Sequence, residues 1–104
     1  NYIMDLDRVL IEAKEILDLR NSYINDNKSL DDFNNEIDIK YIKLKKEKEK
    51  IFELCKSGSM DLERLTYMIN MAKQVQNNSI TEYDASVKVG TRLVDEFVKP
   101  QLKK

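Results

Sequence analysis

Apolar residues along this chain recur in steps of three and four, the spacing that gathers side chains on one helical face. In the first stretch Ile3, Leu6, Leu10, Ala13, Leu17 and Ile24 keep that step. Val9, Ile16 and Tyr23 run beside them, and Arg20 stands where an apolar residue was due. Three apolar positions per heptad is the width of a bundle helix; a two-stranded coiled-coil seam needs only two. The pattern predicts a helix over residues 2–24.

Residues 25–29 (NDNKS) read as a connection, with Ser29 able to cap the next helix and Asp31 and Asp32 placed against its positive end. Leu30, Phe33, Ile37, Tyr41, Leu44, Ile51 and Cys55 then share one face as far as Lys56, and Lys48 interrupts it. Ile37, Ile39 and Tyr41 also alternate as a short strand would, but a lone strand in a helical chain has no partner. Helix is therefore preferred, with residues 40–42 as the place where it can break into a short and a long piece.

Ser57-Gly58-Ser59 is the clearest turn: Gly58 suits a left-handed helix end, and Ser59 can cap the third helix. Leu62, Leu65, Ile69, Ala72 and Val75 or Gln76 form the stripe of that helix, which ends near Asn77. Met60, Met68 and Met71 lie beside it with Tyr67; filling core gaps is the favoured reading, an adaptable partner surface the other. A fourth helix is expected over residues 79–100. Ser79 with Glu82 forms a capping box at its start, Thr81 with Asp84 offers a second start, and Pro100 ends it. Its stripe is Ile80, Tyr83, Val87, Gly90, Val94 and Phe97, widened by Leu93.

Gly90 costs roughly 1 kcal/mol against alanine in a helix interior. Its place on the stripe makes it a candidate for close approach by another helix, with room for a ligand or a hinge as the alternative. The short link after the third helix predicts an antiparallel helical hairpin at the C-terminal end. The fold expected is all-α: a compact bundle of about four helices, the second open to a break, in a single domain over residues 1–104.

Residues 79–102 carry a resemblance. YDASVKVG (Tyr83 to Gly90) followed by RLVDEFVKPQL (Arg92 to Leu102) is similar to stretches of small uncharacterised helical proteins encoded by nucleocytoplasmic large DNA viruses, and the run DLERLTYMINM extends it backwards. The resemblance implies a viral, helical protein, placed in the virion or in the host cytoplasm. It implies no catalytic residues.

Composition narrows the function more by exclusion than by indication. Of 104 residues, 18 are basic and 19 acidic, a net charge of −1, which is not the profile of a general nucleic-acid binder. Lys, Asn and Ile are abundant and Trp is absent, the mark of an AT-rich genome. No apolar run is long enough to span a membrane, and the first residues lack the pattern of a signal peptide. A single cysteine, Cys55, forms no internal disulfide and fits a reducing, intracellular compartment.

The chain has no histidine, which removes Ser-His-Asp and Cys-His nucleophiles, imidazole catalysis and His-containing zinc sites. One cysteine cannot build a structural zinc site, and no glycine-rich phosphate loop is present. Cys55 near a helix C-terminus reads as a packed thiol. Asp31, Asp32, Glu36 and Asp38 lack the spacing of a calcium loop and fit an acidic helix start. No metal or cofactor is expected. The sequons at Asn27 and Asn77 matter only in a secretory compartment.

One enzyme alternative is a small helical chorismate mutase, a family that holds a dicarboxylate between helices with buried arginines; Arg8, Arg20, Arg64 and Arg92 are the arginines here. A single arginine on an apolar stripe more often snorkels or pairs at a bundle edge, so no enzymatic activity is expected. The leading expectation is a non-enzymatic interaction or structural protein that self-associates, as a homodimer, or binds a protein partner. Leu10, Ile16, Leu17 and Arg20 on the wide first stripe are its candidate interface. The alternative is a nucleic-acid accessory protein using the Lys40 to Lys50 face, with Lys43, Lys45, Lys46, Lys48 and Lys50 as the anion-binding patch. Interleaved Glu47 and Glu49, and the lack of aromatic stacking platforms inside the run, favour a plain solvated face there.

Overall fold

A computed structural model describes residues 5–89. Gly90 and the remainder of the expected last helix to Pro100 lie outside the described residues, as do the first four positions. Among the described residues the chain forms six helices and no strand: α1 (Leu6–Asn25), α2 (Leu30–Lys40), α3 (Ile42–Glu47), α4 (Glu49–Ser57), α5 (Leu62–Gln76) and α6 (Glu82–Val89). Each of the four expected stretches is helical, the last as far as Val89. The second is broken twice, and the alternating run is helical as far as Lys40, turning at Tyr41.

Helix α1 packs against α2, α4 and α5. Asp5 caps it, accepting the Arg8 N–H at 3.0 Å, so the helix starts later than the apolar step suggested. Its buried row is Leu6, Val9, Ala13 and Ile16, with Leu10, Leu17, Leu19 and Tyr23 packed at the margins. That row lies between the two rows legible in the sequence. Ile24, on the expected stripe, is exposed.

In the second stretch Ser29 caps α2 through the Asp31 and Asp32 N–H groups, at 3.1 and 3.3 Å. Phe33, Ile37, Tyr41, Leu44, Ile51, Phe52 and Cys55 are all buried. Fully burying an Ile, Leu or Phe side chain contributes roughly 1.5–3 kcal/mol, so this row supplies much of the core. An unbroken helix over residues 30–57 would run about 42 Å, whereas α1 spans about 30 Å. The chain keeps its apolar residues against α1 by bending at Tyr41 (φ −113°, ψ 36°) and at Lys48 (φ −134°, ψ 60°). The helical hydrogen bonds nearly continue through each bend: Tyr41 N–H reaches Ile37 O at 2.9 Å, and Lys48 N–H reaches Leu44 O at 2.7 Å.

Long-range pairs fix the directions. Tyr23 Oη donates to Glu36 and Tyr41 Oη to Glu15, so α2 runs antiparallel to α1. Arg8 meets Glu47, and Arg20 meets the Lys56 carbonyl, so the chain from Glu47 onward returns parallel to α1. Lys73 near the end of α5 pairs with Asp7 near the start of α1, which makes α5 antiparallel. Met60, Met68 and Met71 are buried in the resulting core, as the gap-filling reading expected. Helix α6 packs on α5 across a short link, giving the C-terminal helical hairpin as far as Val89.

Three helices end in the same way. Asn27 (φ 58°), Gly58 (φ 77°) and Asn78 (φ 60°) are left-handed. Around them Lys28 N–H bonds Tyr23 O, Ser59 N–H bonds Leu54 O, and Ser79 N–H bonds Gln74 O. This is the Schellman closure, which satisfies the last free carbonyls of a helix. It also commits Ser59 and Ser79 to the helices before them. The next caps therefore move two residues on: Asp61 Oδ1 accepts the Arg64 N–H at 2.7 Å, and Thr81 Oγ1 accepts the Asp84 N–H at 3.0 Å. Ser59 and Ser79 do not start α5 and α6.

Candidate functional site

The lysine-rich run does not form one face. Lys48 sits in the bend between α3 and α4 and is only 3% exposed, so it belongs to the interior and not to an anion-binding patch. Lys45 is half-buried: it pairs with Asp38 at 3.4 Å and lies 5.9 Å from the Phe52 ring centre. Lys56 approaches the same carboxylate at 3.2 Å and the same ring at 5.9 Å. These two lysines clamp α2 to α4 over an aromatic ring, a structural role. Lys40 lies over the Tyr41 ring at 5.5 Å. Lys43 and Lys46 are exposed on α3, and Lys50 is exposed beyond the bend on α4.

The candidate interface on α1 is also redistributed. Ile16 is fully buried in the core and cannot face a partner; Leu10 and Leu17 pack against that core from its edge. Much of the wide stripe is covered inside the chain, where α2, α4 and α5 all pack on α1, while Ile24 at its end is exposed. Arg20 is half-buried, and its Nε donates to the Lys56 carbonyl at 3.1 Å. Its guanidinium packs over Gly58, where an added Cβ would lie 2.6 Å from Arg20 Cζ. A cation at the carbonyl end of α4 is favoured by the unsatisfied groups and the dipole there. The intruding arginine is thus a helix-end clamp.

Arg8 engages Glu12 at 3.2 Å and Glu47 at 2.7 Å. Burial opposes its charge, but these two carboxylates hold the guanidinium above its ordinary pKa. Arg8 and Arg20 stand about 18 Å apart along α1, and Arg64 is exposed on α5. These three arginines do not converge on one dicarboxylate; Arg92 lies outside the described residues.

Two tyrosines tie α1 to its neighbours. Tyr41 Oη donates to Glu15 at 2.8 Å, and burial, then that bond and the nearby carboxylates, push its phenol well above the usual range. Tyr23 Oη donates to Glu36 at 2.6 Å and is raised chiefly by that bond. Cys55 is buried, which pushes its thiol up to about 12, so it is protonated at neutral pH and a poor nucleophile. Among the described residues no group of three or more Cys, Asp or Glu side chains is gathered to hold a metal ion. Asp38 and Glu36 from the acidic helix start are committed to lysines and to Tyr23. No helix among the described residues is long and apolar enough to cross a membrane.

What the sequence stripes concealed is on the outside. On α6, among the side chains described, Ala85 is fully buried while Tyr83 and Val87 are 75% and 68% exposed. Those two were expected on the inner face. On α2 and α3, Ile39 and Ile42 are exposed, and Tyr67 is exposed on α5. The strand-like alternation around Ile39 was the available sign that its side chain departs from the buried row. No protein-family model matches the chain, and no curated protein or solved structure matches it either.

Proposed function

We propose that this chain is a non-enzymatic helical interaction protein that self-associates through the outer face of α6. The observation that carries this reading lies on α6, where the small Ala85 is buried in the core and the large Tyr83 and Val87 are exposed. Aromatic side chains, tyrosine among them, are enriched in protein interfaces and their hot spots. A second copy is the fitting occupant. A helix face meets itself across a two-fold axis without needing a complementary surface elsewhere, and a net charge of −1 offers little repulsion between copies. The viral resemblance makes such an assembly a virion component or a host-directed factor. The nucleic-acid alternative draws little support from lysines dispersed between the core, the Asp38 clamp and the surface.

Light scattering over a concentration series tests the reading. The expected result is a concentration-dependent dimer that Tyr83→Ser with Val87→Ser converts to monomer while the helical circular dichroism is retained. A monomer at every concentration, or a dimer indifferent to those substitutions, overturns it.

A further inference from the structure

We propose that the outer ridge of α2 and α3, built from Ile39, Ile42, Lys43 and Lys46, docks on an anionic lipid surface. Counted at about 100° per residue, these four residues span an arc of about 100° on the side away from the buried row Phe33, Ile37 and Leu44, with the bend at Tyr41 between Ile39 and Ile42. Such a line is ordinarily polar. Here Ile39 is 79% exposed, the most of any large apolar side chain described, and Ile42 comes one turn on at 45%. Single exposed isoleucines are commonplace; two in succession on the outermost line, flanked by lysines, are a patterned surface.

Beside Ile39 and Ile42 the nearest charges are lysines, and most acids close to the ridge are engaged, Asp32 two turns back on α2 being the exposed exception. Asp38 is shared by Lys45 and Lys56, Glu47 pairs with Arg8, and Glu36 accepts from Tyr23. Among the described residues no carboxylate is paired with Lys43 or Lys46. An anionic partner is therefore the complementary one.

Residue types decide among anionic partners. Protein interfaces are depleted in lysine and enriched in aromatic residues, Met and Arg, and this ridge has the reverse bias. Single-stranded nucleic acid needs stacking platforms, and two isoleucines provide none. Apolar side chains on a helix with lysines along the same edge suit the membrane interface, where the isoleucines enter the acyl boundary and each ammonium meets headgroup charge. This inference does not rest on self-association, since the ridge belongs to α2 and α3 and the proposed dimer face to α6.

Vesicle flotation tests it, with vesicles of phosphatidylcholine alone and of phosphatidylcholine mixed with phosphatidylserine. The full chain is expected to float with the mixed vesicles at low salt and not with the uncharged ones. Lys43→Gln with Lys46→Gln should weaken binding roughly thirtyfold, and Ile39→Ser with Ile42→Ser about tenfold. All four sites are exposed, so the variants should keep the wild-type circular dichroism. Tyr83→Ser with Val87→Ser should still float, which separates this surface from the dimer face. Failure to float, equal binding to uncharged vesicles, or variants that bind like wild type overturn the proposal. So does binding of duplex DNA or an acidic peptide that requires the same four residues while vesicles are ignored.

Discussion

Arg20 comes after Leu6, Val9, Ala13 and Ile16 at the next step of the buried row of α1, a place where a charge needs a reason. The reason is backbone: the Lys56 carbonyl, 36 residues away, and the bare Cα of Gly58 beneath the guanidinium. Gly58 therefore serves two purposes at once, left-handed geometry and space. A double-mutant cycle separates them. Gly58→Ala should cost about 1–2 kcal/mol for its positive φ alone, and more in the wild-type background, where the new methyl displaces Arg20. In an Arg20→Ala background the second part should vanish, leaving a coupling of about 0.5 kcal/mol or more in urea denaturation. Additive costs would mean that the guanidinium yields freely. The intrusion of Arg20 was legible in the sequence. Its partner was not, because a carbonyl oxygen is the same in every residue and leaves no trace in the side-chain pattern.

Helix ends show where sequence reading slips by a fixed amount. Gly58 was recognisable as a left-handed stop, but Asn27 and Asn78 fill the same position, and asparagine there looks like any loop residue. In each Schellman closure the residue after the left-handed one gives its N–H backwards, and Ser59 and Ser79 belong to that closure while the next helices start at Leu62 and Glu82. The cap falls to Asp61 and to Thr81. Thr81→Ala should thus weaken α6 by about 0.5–2 kcal/mol, seen as faster amide exchange confined to that helix, while Ser79→Ala should leave those amides unchanged. The reverse result would restore Ser79 as the cap. The break near Tyr41 was legible from the stumbling periodicity; the one at Lys48 had only an interrupted stripe to announce it, with neither proline nor glycine. What bends the chain there is the need of Ile51, Phe52 and Cys55 to return to α1, a demand that belongs to packing and not to local sequence.

At the scale of the whole molecule, a wide apolar stripe has two possible owners, the chain's own core or a partner, and periodicity alone does not choose between them. The first stripe looked wide enough to serve a partner. Much of its width is covered by three neighbours, because α2, α4 and α5 all pack on α1. Ile16 stands in the buried row of α1 and is fully buried. Ile16→Ala should therefore behave as a core truncation, losing roughly 2–5 kcal/mol with the residual cavity, and should lower the denaturation midpoint of monomer and dimer alike. An interface residue would show the opposite signature: dissociation at unchanged monomer stability, as expected of Tyr83→Ser with Val87→Ser. Measuring both variants by denaturation and by solution mass thus assigns each stripe to its owner. If Ile16→Ala left the fold stable and abolished association, α1 would have to be an interface after all. The packing of three helices around it makes destabilisation the outcome that this architecture requires.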